Sequence, residues 1–379
     1  MVAYLGVLAL LGCGASTRRA PDDAEPKPND PGQTGDESSR VVVGCRQTPL
    51  SLGPVSTAIE PETGKRLRLP SPQIAWMGDE FAVGWASPDG YRLTITDGRS
   101  TSSDLTLPFL PSIQQSPPAQ LFWTGAELRL YYALGEELFV DVLARQPAFA
   151  VTETRAIGTG LPFRAVQMAQ DRIAVLTPGS LYLDGEEIAR SPSYTAPAAV
   201  GWDGESFLIA SVLGHGSWNV NGLAVDGAFH APAIDLTWCG VCATGEAGGS
   251  AFASSELTGR HALVVATSEE IVLAIEGLAP VERAPVAEPE AFVFWDGERY
   301  ALLLADQAAA SDTGNRDLGL LAVSGDGVVL SDTAQPSPIS QDPGDDRSPV
   351  GAAAAPGDYG IAWVRGDDLL FQRCSLVER

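Results

Sequence analysis

The amino-acid sequence predicts an all-β fold, a β-propeller of seven four-stranded blades. Three observations lead to this prediction. First, 40 glycines and 28 prolines make up about 18% of the 379 residues, against roughly 12% in an average protein, which disfavours long helices. Second, a Trp-x-Gly phrase followed by a large apolar residue recurs along the chain. Third, the copies are spaced by about the length of one propeller blade.

The amino-terminal residues predict an export signal. Val2 to Gly12 is an uncharged apolar run that ends at Cys13, and it is shorter than the roughly 20 apolar residues that span a bilayer. Leu10-Leu11-Gly12-Cys13 resembles the lipobox of bacterial lipoproteins. This resemblance implies a signal peptide over residues 1–12, a lipidated Cys13 and, because Gly14 follows, an anchor in the outer membrane. No Lys or Arg precedes the apolar run, and an ordinary cleaved signal peptide is the alternative.

Residues 13–40 are predicted to be the lipidated cysteine and a disordered tether. From Gly14 onward the segment contains four prolines and scattered charges, and apart from the prolines it has no aliphatic or aromatic side chain larger than Ala. Such a composition cannot bury a core. A membrane-anchored domain needs a spacer of this kind, so residues 41–379 are predicted to form the propeller.

The repeat is clearest in four copies, each with a tryptophan before a glycine turn and a large apolar residue five positions after the tryptophan. The pairs are Trp76 with Phe81, Trp123 with Leu128, Trp202 with Phe207, and Trp295 with Tyr300. Apolar runs on both sides of the turn predict a β-hairpin in each copy. Asp-Gly at 203–204 and 296–297 predicts type I′ turns, in which both central residues need positive φ.

Weaker copies raise the number of units to seven. Their second strands begin at Ile173, Ala262 and Tyr359. Several units continue with an alternating strand that ends in Asp-Gly, as at Leu181 to Gly185, so a full unit contains about four strands. The mean spacing of about 46 residues matches the roughly 40 to 50 residues of a propeller blade.

A β-sandwich with appended hairpins is the alternative fold, but it gives no reason for a tryptophan at one fixed position in several units. In a propeller this position can stack a bulky side chain between neighbouring sheets. The chain after residue 40 thus resembles bacterial lipoproteins that carry degenerate β-propeller repeats. The resemblance implies a fold and a location, and it implies no particular chemistry.

Four cysteines after Cys13 predict disulfides in an exported protein. Cys45 and Cys374 lie near the two ends of the folded region, so a bridge between them would join the first and last blades and close a long loop. Cys239 and Cys242 would then pair locally. The phrase from Trp238 to Cys242 resembles the thioredoxin motif, but its flanks lack a helical period, which favours a structural disulfide over redox catalysis. Zinc is less favoured still, because one C-x-x-C supplies only two ligands.

No motif predicts a catalytic residue, a metal site or a cofactor. The sequence contains neither a G-x-S-x-G elbow nor a Walker A loop, and its three histidines are scattered. Acidic loops at 312–317 and 342–346 lack the pattern of a calcium loop, so we interpret them as solvated. The net charge of −24 disfavours nucleic-acid binding and suits a soluble domain on a tether.

Two functions remain. The sequence favours a non-enzymatic binding or scaffold propeller, displayed on the envelope as a monomer, whose partner is an envelope protein or a glycan. The alternative is a hydrolase or lyase that acts on extracellular polysaccharide with carboxylates at the mouth of the channel. An enzyme predicts titratable groups that converge at this mouth with perturbed pKa values, whereas a scaffold predicts small or apolar side chains there.

Overall fold

In a computed structural model of this protein, the described residues form 29 β-strands, numbered β1 to β29 in chain order. They include no helix long and apolar enough to span a membrane. All of them belong to a compact unit that runs from Ser39 to Arg379. The structure describes residues 41–45, 48–56, 72–108, 119–134, 137–145, 149–159, 165–169, 172–177, 180–190, 199–202, 205–214, 217–224, 229–236, 249–254, 260–266, 271–276, 278, 281–283, 290–307, 316–330, 337–340 and 344–378.

Among these residues, six sheets share one architecture, in which four antiparallel strands follow each other in chain order. Sheet 1 contains β3 (Gln73–Trp76), β4 (Phe81–Ser87), β5 (Gly90–Thr96) and β6 (Thr101–Leu107); sheet 2 contains β7 (Ala119–Trp123), β8 (Leu128–Leu134), β9 (Glu137–Ala144) and β10 (Ala150–Thr159); sheet 3 contains β11 (Ala165–Ala169), β12 (Arg172–Thr177), β13 (Ser180–Leu183) and β14 (Glu186–Arg190). Sheet 4 contains β15 (Ala199–Trp202), β16 (Ser206–Gly214), β17 (Ser217–Ala224) and β18 (Phe229–Leu236); sheet 5 contains β19 (Gly249–Ser254), β20 (His261–Ala266), β21 (Ile271–Ile275) and β22 (Val281–Arg283); sheet 6 contains β23 (Glu290–Trp295), β24 (Arg299–Gln307), β25 (Arg316–Ser324) and β26 (Ser337–Pro338).

Sheet 7 combines strands from both ends of the folded region. Its carboxyl-terminal strands are β27 (Asp346–Ala355), β28 (Asp358–Arg365) and β29 (Asp368–Glu378), and its amino-terminal strands are β1 (Val41–Cys45) and β2 (Leu50–Pro54). β1 pairs with the end of β29 and β2 pairs with its beginning. The two short strands therefore cover the edge that β29 would otherwise expose.

The repeated tryptophan phrase forms the hairpin between the first and second strands of a sheet, as the sequence predicts. Trp295, for example, pairs with Tyr300 across the turn. The type I′ prediction is wrong at 296–297, because only Gly297 has positive φ there (103°). Asp184 and Gly185 do form such a pair of positive-φ residues, at 50° and 85°, while 203–204 lies outside the described residues.

Neighbouring sheets pack face to face in chain order. The first strands contact each other from β11 through β15, β19 and β23 to β27, and β3 contacts β7. Sheets 2 and 3 meet through an apolar cluster that includes Tyr131, Val140 and Val175. The first strand of sheet 7, β27, also contacts β3 of sheet 1. Sheets 7 and 1 are thus also in contact.

Packing on both faces explains why a central strand such as β4 is buried along its whole length. β4 is buried at all seven positions, and fully burying a side chain such as that of Phe81 is worth about 1.5–3 kcal/mol. Gly360 of sheet 7 lies against the aromatic ring of Phe81, and an added Cβ there would lie 2.6 Å from Phe81 Cε1. The small residue is required here because a larger one would push the two sheets apart.

Candidate functional site

The four repeat tryptophans occupy equivalent places. Each is half-buried at the end of a first strand and packs against an apolar cluster that its sheet shares with the preceding one. The ring centroids of Trp76 and Phe81 are 4.6 Å apart, and those of Trp202 and Phe207 are 5.0 Å apart. The repeat position is therefore a contact between neighbouring sheets.

The structure brings two of the predicted cysteines together. Cys45 and Cys374 are directly opposite each other in the pairing of β1 with β29 and form a disulfide. Their separation of 329 residues makes this a link between the two ends of the folded region. Cys13, Cys239 and Cys242 lie outside the described residues.

In each sheet the first strand begins at one end of the strands and runs to the first hairpin turn at the other end. We call the end where the first strand begins the start edge, and the end with the first hairpin turn, where the tryptophan turns lie, the hairpin edge. At the start edge of sheet 7, the carboxylate of Asp346 is completely buried. Trp363 Nε1 donates to Asp346 Oδ1 at 2.9 Å and Arg365 Nε donates to the same atom at 2.7 Å, while Ser340 Oγ donates to Oδ2. A buried charge requires compensation of this kind. The prediction that residues 342–346 are solvated is wrong for Asp346, because it pairs in register with Arg365 of β28.

A second set of charges ties sheet 6 to sheet 7 at the same edge. Arg316 Nε donates to Asp345 Oδ1 at 2.9 Å, and Arg316 Nη1 lies 3.5 Å from Glu290 Oε1. Glu290 Oε2 in turn accepts a 2.6 Å hydrogen bond from the backbone N–H of Ser348. The guanidinium of Arg316 is only 7% exposed, so water screens these interactions little.

The carboxyl groups at the start edge have pKa values shifted in opposite directions. Burial raises the pKa of Asp345, but the hydrogen bonds and charges of Arg347 and Arg316 outweigh burial and hold that pKa below its ordinary value. Burial, together with the charge of Asp346, raises the pKa of Asp317. Hydrolysis by two carboxyl groups needs a proton donor with a raised pKa and a second, available carboxylate. Asp346 is not available, because Arg365 and Trp363 hold it.

At the hairpin edge, Asp296 joins the turn of sheet 6 to the turn of sheet 7. Its Oδ2 atom accepts a 2.6 Å hydrogen bond from the Tyr359 hydroxyl and a 3.0 Å bond from the N–H of Gly357. Its Oδ1 atom accepts the N–H groups of Glu298 and Arg299, both at 2.8 Å. Burial and the charge of Asp296 raise the pKa of Tyr359. The side chain of Asp296 thus stabilises the turn through hydrogen bonds, and its backbone does not adopt the positive φ that the Asp-Gly pair predicts.

A cleft of about 370 Å³ opens at the hairpin edge of sheet 2. Small-molecule sites range from about 300 to 1,000 Å³, so the cleft falls at the small end of that range. Its walls come from the tryptophan turn, from the end of β9 and from a bulge in β10. The lining residues are Trp123, Ala126, Glu127, Val142, Leu143, Ala144, Arg145 and Thr152. Sequence reasoning identified Trp123 alone among them.

No family model matches the chain, and no curated protein is detectably similar to it in sequence. Among solved structures, the WD40 domain of Toxoplasma gondii coronin is similar, with a TM-score of 0.55 and 9% identity over 90% of this chain and 87% of that one. Virginiamycin B lyase from Staphylococcus aureus gives a TM-score of 0.47 and 10% identity over 81% of this chain and 96% of that one. The Myceliophteria thermophila Cps50 (Swd1) β-propeller domain gives 0.42 and 10% over 64% and 83%. Similarity to the coronin domain at this identity shows the fold alone: the chain is an all-β protein with a β-propeller fold.

Proposed function

We propose that this protein is an envelope lipoprotein whose folded domain is a closed, seven-bladed β-propeller with a non-enzymatic binding or scaffold role. The observation that carries the proposal is the order of packing. Seven sheets follow each other in the described part of the chain, and the first strand of sheet 7 contacts the first strand of sheet 1. Such an arrangement places loops from every sheet on two shared faces, which is how propellers present binding surfaces.

The start-edge charges favour a structural role over catalysis. Asp345 contacts Arg316 across the boundary between sheets 6 and 7. Glu290 contacts Arg316 within sheet 6 and accepts from the N–H of Ser348 in sheet 7, and Asp346 is held by Arg365. A catalytic carboxylate has to reach a substrate, and these groups are engaged with the protein. We therefore assign them to blade-to-blade attachment.

Anchoring is proposed to occur through a lipid on Cys13, with residues 14–40 as the tether and the outer membrane as the location. The test is Cys13→Ala, followed by separation of soluble and membrane fractions. We expect the wild type in the membrane fraction and the variant in the soluble fraction, because the lipid supplies the membrane affinity. Equal membrane attachment of both proteins would contradict the anchor.

The binding role is tested by capture of partners on the immobilised domain, residues 41–379, from envelope extracts. The proposed partner is an envelope protein or a glycan, and the domain itself is proposed to be a monomer without affinity for nucleic acid. The enzymatic alternative is tested in parallel by following the chain length of extracellular polysaccharide. Shortening by the wild type that Asp317→Asn abolishes would replace the scaffold proposal with a hydrolase or lyase.

A further inference from the structure

Trp123 differs from the other strong repeat tryptophans in its hairpin partner. Trp76, Trp202 and Trp295 pack in tilted or edge contacts on the aromatic rings of Phe81, Phe207 and Tyr300. Trp123 pairs instead with Leu128, whose side chain offers no ring to cover the indole. The cleft of about 370 Å³ opens at this copy of the repeat. The departure from the repeat pattern therefore coincides with a binding-sized space.

The cleft combines an apolar wall with a polar rim. Trp123, Val142 and Leu143 supply the apolar surface. On the rim, the side chain of Glu127 is 46% exposed. Thr152 lies in the bulge of β10, and its hydroxyl donates to the carbonyl oxygen of Val142 at 3.1 Å. Apolar surface combined with a few fixed polar groups is typical of small-ligand sites.

Arg145 is held in place on the rim by the neighbouring sheet. Its Nη1 and Nη2 atoms donate to the two carboxylate oxygens of Asp79 at 2.6 and 3.0 Å, and Nη2 also donates to Glu80. Within the described part of the chain, these bonds account for three of the five N–H groups of a guanidinium. Arg145 therefore faces the cleft as a fixed donor, and its orientation costs little entropy when a ligand binds.

The charges around the cleft select against an anionic ligand. An anion would meet Glu127, the two carboxylates that pair with Arg145, and a chain with a net charge of −24. A neutral ring with hydroxyl groups avoids this cost, and unlike a quaternary cation it carries both donors and acceptors for the rim. Its C–H face can pack on the indole of Trp123, and its hydroxyls can donate to Glu127 and accept from Arg145.

We propose that the Trp123 cleft binds a neutral sugar ring, such as the terminal unit of an envelope glycan. This inference rests on the binding role proposed above and names the class of partner. It depends on the fold of sheets 1 and 2 and is independent of Cys13. Loss of sugar binding therefore leaves the anchoring test unaffected, and failure of the anchor leaves the sugar test valid.

The test is saturation-transfer-difference NMR on the domain, residues 41–379, with glucose, galactose, mannose and N-acetylglucosamine as probes. Choline and glucuronate serve as the cationic and anionic probes. We expect transfer to the C–H protons of at least one neutral sugar. Ala126→Phe places a ring in the cleft from an exposed turn position, and Trp123→Ala removes the platform, so each should weaken binding at least about tenfold.

The matched controls carry the same changes at the equivalent positions of sheet 6. Trp295→Ala removes a tryptophan that makes an edge contact with Tyr300, and Glu298→Phe adds a ring to an exposed turn residue. Both should retain the binding of the wild type, with thermal melts confirming that all variants fold. The proposal is overturned by a wild type that binds no neutral sugar, by unchanged binding in Ala126→Phe, by an equal loss in Glu298→Phe, or by preferential binding of choline or glucuronate.

Discussion

At the scale of single residues, contact with arginines determines whether the pKa of a carboxyl group at the start edge is lowered or raised. Asp345 lies between Arg316 and Arg347, which hold its pKa below the ordinary value. Asp317 is next to Arg316 in the chain, yet burial and the charge of Asp346 raise its pKa. The folded protein thus favours the charged form of Asp345 and disfavours the charged form of Asp317. Their effects on stability should have opposite signs.

Asp317→Asn and Asp345→Asn test this difference through the pH dependence of the free energy of unfolding. At pH 7 we expect Asp317→Asn to stabilise the domain by less than about 1 kcal/mol, because it removes a charge that folding disfavours. Asp345→Asn should destabilise it by about 1–3 kcal/mol, because it weakens bonds to two arginines. Chemical denaturation at several pH values measures both changes.

The two effects should also disappear in different pH ranges. A raised folded-state pKa costs nothing once the pH is below the unfolded value of 3.8, since Asp317 is then protonated in both states. A lowered pKa stabilises above the unfolded value, and this contribution is lost only as the pH falls through the folded pKa of Asp345. An Asp317→Asn variant that is less stable than the wild type at pH 7 would show that this carboxylate has a favourable partner.

At the scale of elements, β1 and β29 form the joint between the two ends of the folded region. Cys45 and Cys374 stand opposite each other in this pairing, and Cys374 is fully buried. Their disulfide links residues 329 positions apart. The entropy that such a bridge removes from the unfolded chain increases with loop length.

Cys45→Ala/Cys374→Ala should lower the free energy of unfolding by about 3–5 kcal/mol. Cys239→Ala/Cys242→Ala is the matched control, because a bridge between those residues would close a very short loop and removing it should cost less. Thermal melts with and without reductant measure both. Reductant should destabilise the wild type much more than the Cys45/Cys374 double variant, which keeps only the predicted local bridge; an equal response of the two proteins would contradict the assignment.

Local sequence patterns predicted the hairpins because their determinants lie within a few residues of each other. The tryptophan phrase supplies the turn glycine and both flanking strands, so Trp295 and Tyr300 could be paired in advance. The turn type at Asp296 could not be predicted from the sequence, since that side chain accepts hydrogen bonds from Tyr359 and Gly357 of the next sheet. Contacts of this kind depend on sheet packing, which a local pattern does not contain.

The same distinction applies at the two candidate sites. A local pattern predicts that Asp346 is solvated within an acidic loop, but its partner Arg365 lies 19 residues further along the chain. Arg145 is positioned by Asp79, 66 residues earlier and in another sheet. The cleft lies at the copy where Leu128 stands in place of the aromatic residue of the other three strong copies. The leucine is visible in the sequence, but the cleft beside Trp123 depends on how the surrounding residues pack, which the sequence does not show.

At the scale of the whole molecule, we propose that the seven sheets close into a ring. Arg373 of β29 reaches sheet 1, where its guanidinium lies 5.6 Å from the ring centroid of Trp76 and 3.5 Å from the carbonyl oxygen of Asp97. Phe81 and Phe371 pack across the same boundary, with centroids 5.5 Å apart. The boundary between sheets 7 and 1 therefore contains apolar packing, and the proposed closure would rest on this packing as well as on the pairing of β1 with β29.

The most direct test is a distance measurement across this boundary by double electron–electron resonance. Spin labels are attached at Arg99→Cys in sheet 1 and Val377→Cys in sheet 7, both exposed, in a Cys239→Ser/Cys242→Ser background with the Cys45–Cys374 bridge intact. Packed sheets lie about 10 Å apart, so we predict one narrow distribution at the short end of the measurable range. A broad or long distribution would contradict a closed ring.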